Sequence, residues 1–167
     1  SELRFYTGLD LLGGSYEYVL ADSWYAYPGY TYETPSGEGI DLALVHLATP
    51  ITDIAPAVLF SGEDEPGTLM YMVGYGQPGT RDAGLTAFDG VKRAGSNLAN
   101  PDSPFTDEQF WVSTFDSVGS ANVQYLEWQS TPGDSGGGWF SYIDGQLMLV
   151  GINSFEAGSY TYSGAIR

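Results

Sequence analysis

Cysteine is absent from this 167-residue sequence, and basic residues are few. Without cysteine there are no disulfides, thiolate nucleophiles or cysteine-based metal sites, so packing alone must stabilise the fold. Five Lys and Arg residues stand against 21 Asp and Glu residues, which gives a formal net charge of −16. This charge repels nucleic acid and anionic membrane surfaces, so we expect neither as a partner. It suits a saline or extracellular setting, although an acidic surface that only keeps the protein in solution explains it equally well.

Long apolar runs are also missing. None approaches the roughly 20 residues of a membrane-spanning helix, and no signal-type segment opens the chain. No segment keeps a 3.6-residue apolar period either. Short runs rich in aromatic and β-branched residues alternate with glycine and proline, which predicts an all-β fold. Ile40 to Leu47 predicts a buried strand that carries one charge, Asp41; Asn122 to Trp128 is another strand candidate, and Asp144-Gly145 predicts a two-residue hairpin turn.

A composition change near residues 51–67 predicts a connection between two halves, 1–60 and 61–167. This stretch carries Pro56, Pro66 and the acidic run Glu63-Asp64-Glu65. The three carboxylates have the oxygen ligands that calcium prefers, but an acidic run in a loop is more often simply solvated. No other metal or cofactor is expected.

The most informative stretch is Thr131 to Phe140, where Ser135 stands between Gly133-Asp134 and three consecutive glycines. Glycine on both sides lets a tight turn project the serine hydroxyl and leaves the adjacent peptide N–H groups pointing outward. A nucleophilic serine requires both features, because its backbone donors must meet the negative charge that develops on the attacked carbonyl.

Gly133 to Gly137 also fits the G-x-S-x-G elbow of α/β-hydrolases, but the context does not. That elbow requires a helix after the serine and a histidine later in the chain, whereas a hairpin is predicted here and no histidine follows Ser135. The order His, Asp, Ser instead requires an aspartate upstream on a buried strand, and Asp41 fits that description.

Four motifs in order resemble the chymotrypsin/trypsin-like serine proteases, specifically the cysteine-free secreted bacterial members. They are G-D-S-G-G at Gly133 to Gly137, D-L-A-L-V-H-L at Asp41 to Leu47, G-Y-G at Gly74 to Gly76, and G-I-N-S-F at Gly151 to Phe155. The resemblance implies two six-stranded antiparallel Greek-key barrels, the first of them incomplete, and a secreted endopeptidase that acts on peptide or protein substrates.

The resemblance also implies roles for individual residues. Ser135 would be the nucleophile, Asp41 the aspartate that orients the imidazole, and the N–H groups of Gly133 and Ser135 the oxyanion hole. Asp134 resembles a supporting residue that pairs with a freed N-terminus in activated members. The substrate-binding candidates are Gln129, six residues before the serine, and the segment Ser154, Phe155 and Glu156.

The general base is the missing component, because the only histidine is His46. Asp41 and His46 lie five apart on one predicted strand, so their side chains point to opposite faces about 16 Å apart at roughly 3.3 Å per residue. We therefore interpret His46 as an incidental strand residue.

The preferred explanation is a fragment that begins after the histidine and ends before a C-terminal helix, with the N-terminal segment as a partner and little activity of its own. The alternatives are an inactive protease homologue and a carbohydrate- or protein-binding β-domain, the latter suggested by the tyrosine-rich segment Tyr16 to Tyr32.

Overall fold

A computed structural model describes residues 2–30, 40–62, 69–100, 110–157 and 162–166. All regular elements in these ranges are β-strands, which confirms the all-β prediction. No helix in the described ranges has the length and apolar character of a membrane span. The strands are β1 (Arg4–Asp10), β2 (Ser15–Ala26), β3 (Ala43–Leu47), β4 (Val58–Leu59), β5 (Leu69–Gly74), β6 (Gly79–Thr80), β7 (Gly84–Leu85), β8 (Arg93–Leu98), β9 (Phe110–Thr114), β10 (Gly138–Ile143), β11 (Gln146–Ala157) and β12 (Tyr162–Ile166).

The chain divides into two compact units, Ser1–Pro56 and Ala57–Arg167. The first contains an antiparallel sheet in the order β1-β2-β3. The second contains a seven-stranded sheet, in which β4 pairs in parallel with β11, and the small hairpin β6-β7.

The first unit has no fully buried side chain within residues 2–30 and 40–56. Trp24 and Tyr25 are neighbours on β2 and so point to opposite faces, yet they are 63% and 67% exposed. The prediction of a buried strand at Ile40 to Leu47 is therefore wrong. Only Ala43–Leu47 is a strand, and four of its five residues are exposed.

In the second unit, six strands run in the order β8-β5-β10-β11-β12-β9. Alternate residues of β5 and β10 point inward, so Met70 and Met72 from β5 pack with Trp139 from β10. All three are completely buried, and they form one core with Trp111, Val150 and Ala165.

Two irregularities bend this sheet, one in the β10–β11 register at Trp139/Phe140 and one in the β11–β12 register at Asn153/Phe155. The sheet curls into a half-barrel whose outer strands are linked by a bridge between Ala99 and Ser113. The Asn97 side chain adds to this link by donating to the Thr114 carbonyl at 2.9 Å.

One predicted turn is present in the structure, and one predicted strand is not. The predicted hairpin at Asp144-Gly145 is confirmed, since both residues have positive φ, 51° and 79°. The predicted strand at Asn122 to Trp128 is wrong, because this segment forms turns with a single bridge from Glu127 to Ser96.

Candidate active site

The glycine-rich loop before β10 exposes Ser135 to solvent. Two successive turns shape it: the Asp134 N–H donates to the Thr131 carbonyl and the Gly137 N–H donates to the Asp134 carbonyl, both at 2.9 Å. Gly133 and Gly136 have φ values of 101° and 80°, which other residues adopt only with strain. The sequence around Ser135 therefore dictates an outward-pointing serine.

The Asp134 carboxylate anchors one side of this loop. Asp134 is 6% exposed, and its Oδ1 accepts the Gly76 N–H at 2.8 Å while its Oδ2 accepts the Thr131 N–H at 3.0 Å. The Thr131 hydroxyl lies 3.1 Å from Oδ2 and 2.9 Å from the Gln77 carbonyl oxygen, and its proton can serve either acceptor. A Cβ on Gly74 or Gly76 would overlap the carboxylate, so the Gly74 to Gly76 turn is shaped to receive it.

Asn153 on β11 anchors the other side. Its carbonyl accepts the Gly136 N–H, and its N–H donates to the Gly137 carbonyl, both at 2.8 Å. The Asn153 side chain is buried and accepts the indole N–H of Trp139 at 3.2 Å. Ser135 thus sits between two fixed points, the Gly74 to Gly76 turn and Asn153.

The N–H groups of Gly133 and Ser135 are the expected oxyanion donors. Among the described residues, neither donates a hydrogen bond to the protein, whereas the intervening and following N–H groups of Asp134, Gly136 and Gly137 all do. This alternation leaves two N–H donors on the loop that carries the exposed Ser135, and an oxyanion hole requires such donors. Their role as oxyanion donors stays a prediction.

Of the substrate-binding candidates, three follow the Asn153 anchor on β11. Ser154 is half-buried, and the Phe155 ring packs edge-to-face on Phe110 at 5.3 Å between ring centres. Glu156 is half-buried and has a raised pKa, mainly because burial disfavours its charged form and also because Asp134 repels it. A hydrogen bond with Ser130 partly opposes this rise.

The fourth candidate, Gln129, lies in a different environment. It lines a cleft of about 570 Å³ together with Gly76 and Asp134. Ser135, Ser154 and Glu156 do not line this cleft. The pocket role of all four residues stays a prediction.

Asp41 belongs to the first unit, whereas Ser135 belongs to the second. Asp41 is exposed and precedes β3, so the expectation that it occupies a buried strand is wrong. The role of Asp41 in orienting an imidazole stays a prediction.

His46 has a partner that sequence reasoning missed. Its Nδ1 lies 2.7 Å from Oδ1 of Asp22, which also accepts the Ser23 hydroxyl at 3.0 Å. The bond to His46 is the main cause of a lowered pKa of Asp22. Asp22 and His46 are 24 residues apart and meet because β2 and β3 pair with a register shift between Ala21 and Ser23. No sequence signal fixes that shift.

The possible calcium site at Glu63-Asp64-Glu65 falls outside the described residues. Within the described ranges, no three metal-ligating side chains come together.

Comparison with known proteins gives no family assignment. No model of a known protein family matches the chain, and a search of curated proteins finds no significant relative.

Proposed function

We propose that this protein is a trypsin-like serine endopeptidase that hydrolyses peptide bonds through an acyl-enzyme on Ser135. The observation that carries the proposal is the Ser135 loop, in which an exposed hydroxyl is fixed between two anchors beside the uncommitted N–H groups of Gly133 and Ser135. This combination supplies two of the requirements for acyl transfer to a serine, the nucleophile and the oxyanion donors, and a general base is the third.

In the proposed reaction, the Ser135 oxygen attacks the scissile carbonyl and its proton passes to a general base. The Gly133 and Ser135 N–H groups stabilise the resulting oxyanion. The intermediate collapses to the acyl-enzyme as the base returns the proton to the leaving amine, and water then releases the acid product.

The strand arrangement supports the same family. The path β8-β5-β10-β11-β12-β9, with its outer strands bridged, is compatible with one six-stranded barrel of the chymotrypsin-like fold. Under this proposal β1, β2 and β3 are part of the other barrel, and the site of action is extracellular, as in the secreted bacterial members that the motifs resemble.

The general base is proposed to come from polypeptide outside these 167 residues. The sequence has one histidine, and its Nδ1 is bonded to Asp22 rather than Asp41. The exposed aromatic residues on both faces of the β1-β2-β3 sheet suit a segment that packs against it and carries the base. Asp41 would then orient that imidazole.

Peptide hydrolysis by the product of the complete gene tests this proposal. We expect turnover of peptide substrates that Ser135→Ala abolishes, and a loss of about a thousandfold or more in Asp41→Asn. The exposed Asp53 offers a matched control, because Asp53→Asn makes the same chemical change elsewhere in the first unit. The 167-residue chain alone should show little or no turnover.

Turnover that persists in Ser135→Ala would refute the proposed nucleophile. A His46→Ala variant locates the base: retained turnover supports a base outside these residues, whereas complete loss would assign the role to His46. A non-histidine at the corresponding upstream position, together with inactivity, would favour the inactive homologue.

A carbohydrate-binding β-domain is the second candidate, and the tyrosines of the first unit favour it. Tyr6, Tyr16 and Tyr18 share one face of β1 and β2, with ring centres 5.4 and 5.8 Å apart, and Arg4 lies over Tyr18 at 4.8 Å. Such a surface can stack on sugar rings. This candidate function predicts that oligosaccharides shift the tryptophan fluorescence and that Tyr18→Ala removes the shift. It also predicts that the protein has no peptidase activity.

A further inference from the structure

Basic residues are concentrated in one short stretch of this acidic chain. Of the five Lys and Arg residues, three fall between positions 81 and 93: Arg81, Lys92 and Arg93. Arg81 and Arg93 line the cleft of about 570 Å³ that borders the Gly74 to Gly76 turn, whereas Lys92 lies outside it over the ring of Tyr75. In a protein of formal charge −16, this location requires a physical explanation.

The cleft has the size and lining of a small-molecule site. Its volume falls within the roughly 300–1,000 Å³ range of ligand pockets. The wall is formed by the end of β5, the β6-β7 hairpin, the start of β8 and the segment 126–134, and its larger apolar residues are Leu85, Phe115, Leu126 and Trp128. It therefore offers an apolar surface together with a few polar groups.

Of the four charged residues that line the cleft, Arg93 has an ion-pair partner, whereas Glu127 and Asp134 are held by N–H groups that do not neutralise them. Arg93 makes two bonds to the Asp89 carboxylate, at 2.7 and 2.8 Å, and these hold the pKa of Asp89 at about 2. The Glu127 carboxylate accepts the Asp116 N–H at 3.0 Å and the Gln124 N–H at 2.6 Å. Asp134 is held by the Gly76 and Thr131 N–H groups.

Arg81 is the guanidinium of this cleft that has no carboxylate partner among the described residues. Its guanidinium donates to the Ser117 hydroxyl at 2.9 Å and to the Phe115 carbonyl, and it stacks on the Phe115 ring at 4.8 Å. These neutral contacts orient the group without neutralising it, and no carboxylate in the described residues pairs with it. A guanidinium has five N–H donors, so donors remain for a ligand.

We propose that this cleft binds a small amphipathic carboxylate, with the carboxylate on Arg81 and an aromatic or aliphatic body against Leu126 and Trp128. Arginine is suited to this role because its planar fork matches a carboxylate in a bidentate pair. Ser135 does not line the cleft, although its neighbour Asp134 and the substrate-binding candidate Gln129 do, and the proposal does not depend on peptidase activity.

Isothermal titration calorimetry with 3-phenylpropionate tests the proposal, and the neutral 3-phenylpropionamide is the matched ligand. For about 11 non-hydrogen atoms, we expect a Kd on the order of 1 mM for the acid. The amide should bind at least about tenfold more weakly, which corresponds to roughly 1.4 kcal/mol. Arg81→Gln should weaken binding of the acid to a similar extent, and Lys92→Gln should leave it within about twofold of the original protein.

Three outcomes would overturn the proposal: no binding of the acid to the original protein, equal binding of acid and amide, or equal weakening by Arg81→Gln and Lys92→Gln. The last outcome would mean that binding of the acid depends only on the overall charge of the protein. Because the acid and amide are compared on the original protein, equal binding of the two would overturn the proposal even if Arg81→Gln fails to fold.

Discussion

Replacing Asp134 with asparagine tests whether its carboxylate anchors the serine loop. The aspartate supplies two acceptors, Oδ1 to the Gly76 N–H and Oδ2 to the Thr131 N–H. Asparagine has one carbonyl oxygen and one NH₂ group, so one of these buried backbone donors must face another donor. Asp134→Asn therefore removes an anchoring bond with almost no change in side-chain shape.

The expected loss follows from the chemistry of that bond. A hydrogen bond to a charged group contributes about 1.5–3 kcal/mol, and a buried donor left without an acceptor costs about 1–3 kcal/mol. The loss of the Asp134 charge also relieves its repulsion of Glu156, which offsets part of the cost. We expect a net destabilisation of about 2 kcal/mol, equal to a fall of about 1 M in the urea midpoint for an m-value near 2 kcal/mol per molar.

Urea denaturation followed by tryptophan fluorescence measures this effect. Three of the four tryptophans, Trp111, Trp128 and Trp139, lie in the same unit as Asp134. Asp144→Asn is the matched control, because Asp144 is exposed and asparagine tolerates its φ of 51°. If Asp134→Asn shifts the midpoint no further than Asp144→Asn, the anchoring role is refuted.

Three further substitutions test other features of the two units. Gly76→Ala should destabilise the second unit by about 1–3 kcal/mol in thermal denaturation, because its Cβ would overlap the Asp134 carboxylate; an unchanged Tm would contradict this close approach. The pKa of Glu156 is higher in the folded protein than in the unfolded chain, where it is near 4.5. The protonated form therefore stabilises the fold below the unfolded pKa, and this contribution is lost as pH rises through the folded pKa. Glu156→Gln should therefore be more stable than the original protein at neutral pH and no more stable near pH 4 in urea denaturation, whereas a pH-independent difference would contradict this. His46→Ala should raise the pKa of Asp22 toward 3.8 in a carboxyl NMR titration, and an unchanged pKa would mean that the bond does not persist in solution.

The local chemistry of glycine and the turn residues made part of this structure predictable. The conformation around Ser135 follows from glycines that tolerate positive φ, and the Asp144-Gly145 turn follows from the same physics. Both predictions depend on residues adjacent in sequence.

Features that depend on distant partners were not predictable. The apolar run Ile40 to Leu47 resembles a buried strand, but its burial depends on what covers the sheet. The Asp22–His46 bond depends on a register shift between β2 and β3. Likewise, the orientation of Arg81 depends on a carbonyl 34 residues further along the chain.

Covalent labelling of the complete gene product with a fluorophosphonate tests the central claim most directly, because the reagent reacts with a serine that a base and an oxyanion hole activate. Mass spectrometry of the labelled peptides should find the adduct on Ser135 and none on Ser15, an exposed serine outside the glycine-rich loop. Ser135→Ala should abolish labelling, and Ser15→Ala should not change it. An adduct on another serine, or no adduct in a folded complete protein, would contradict the account.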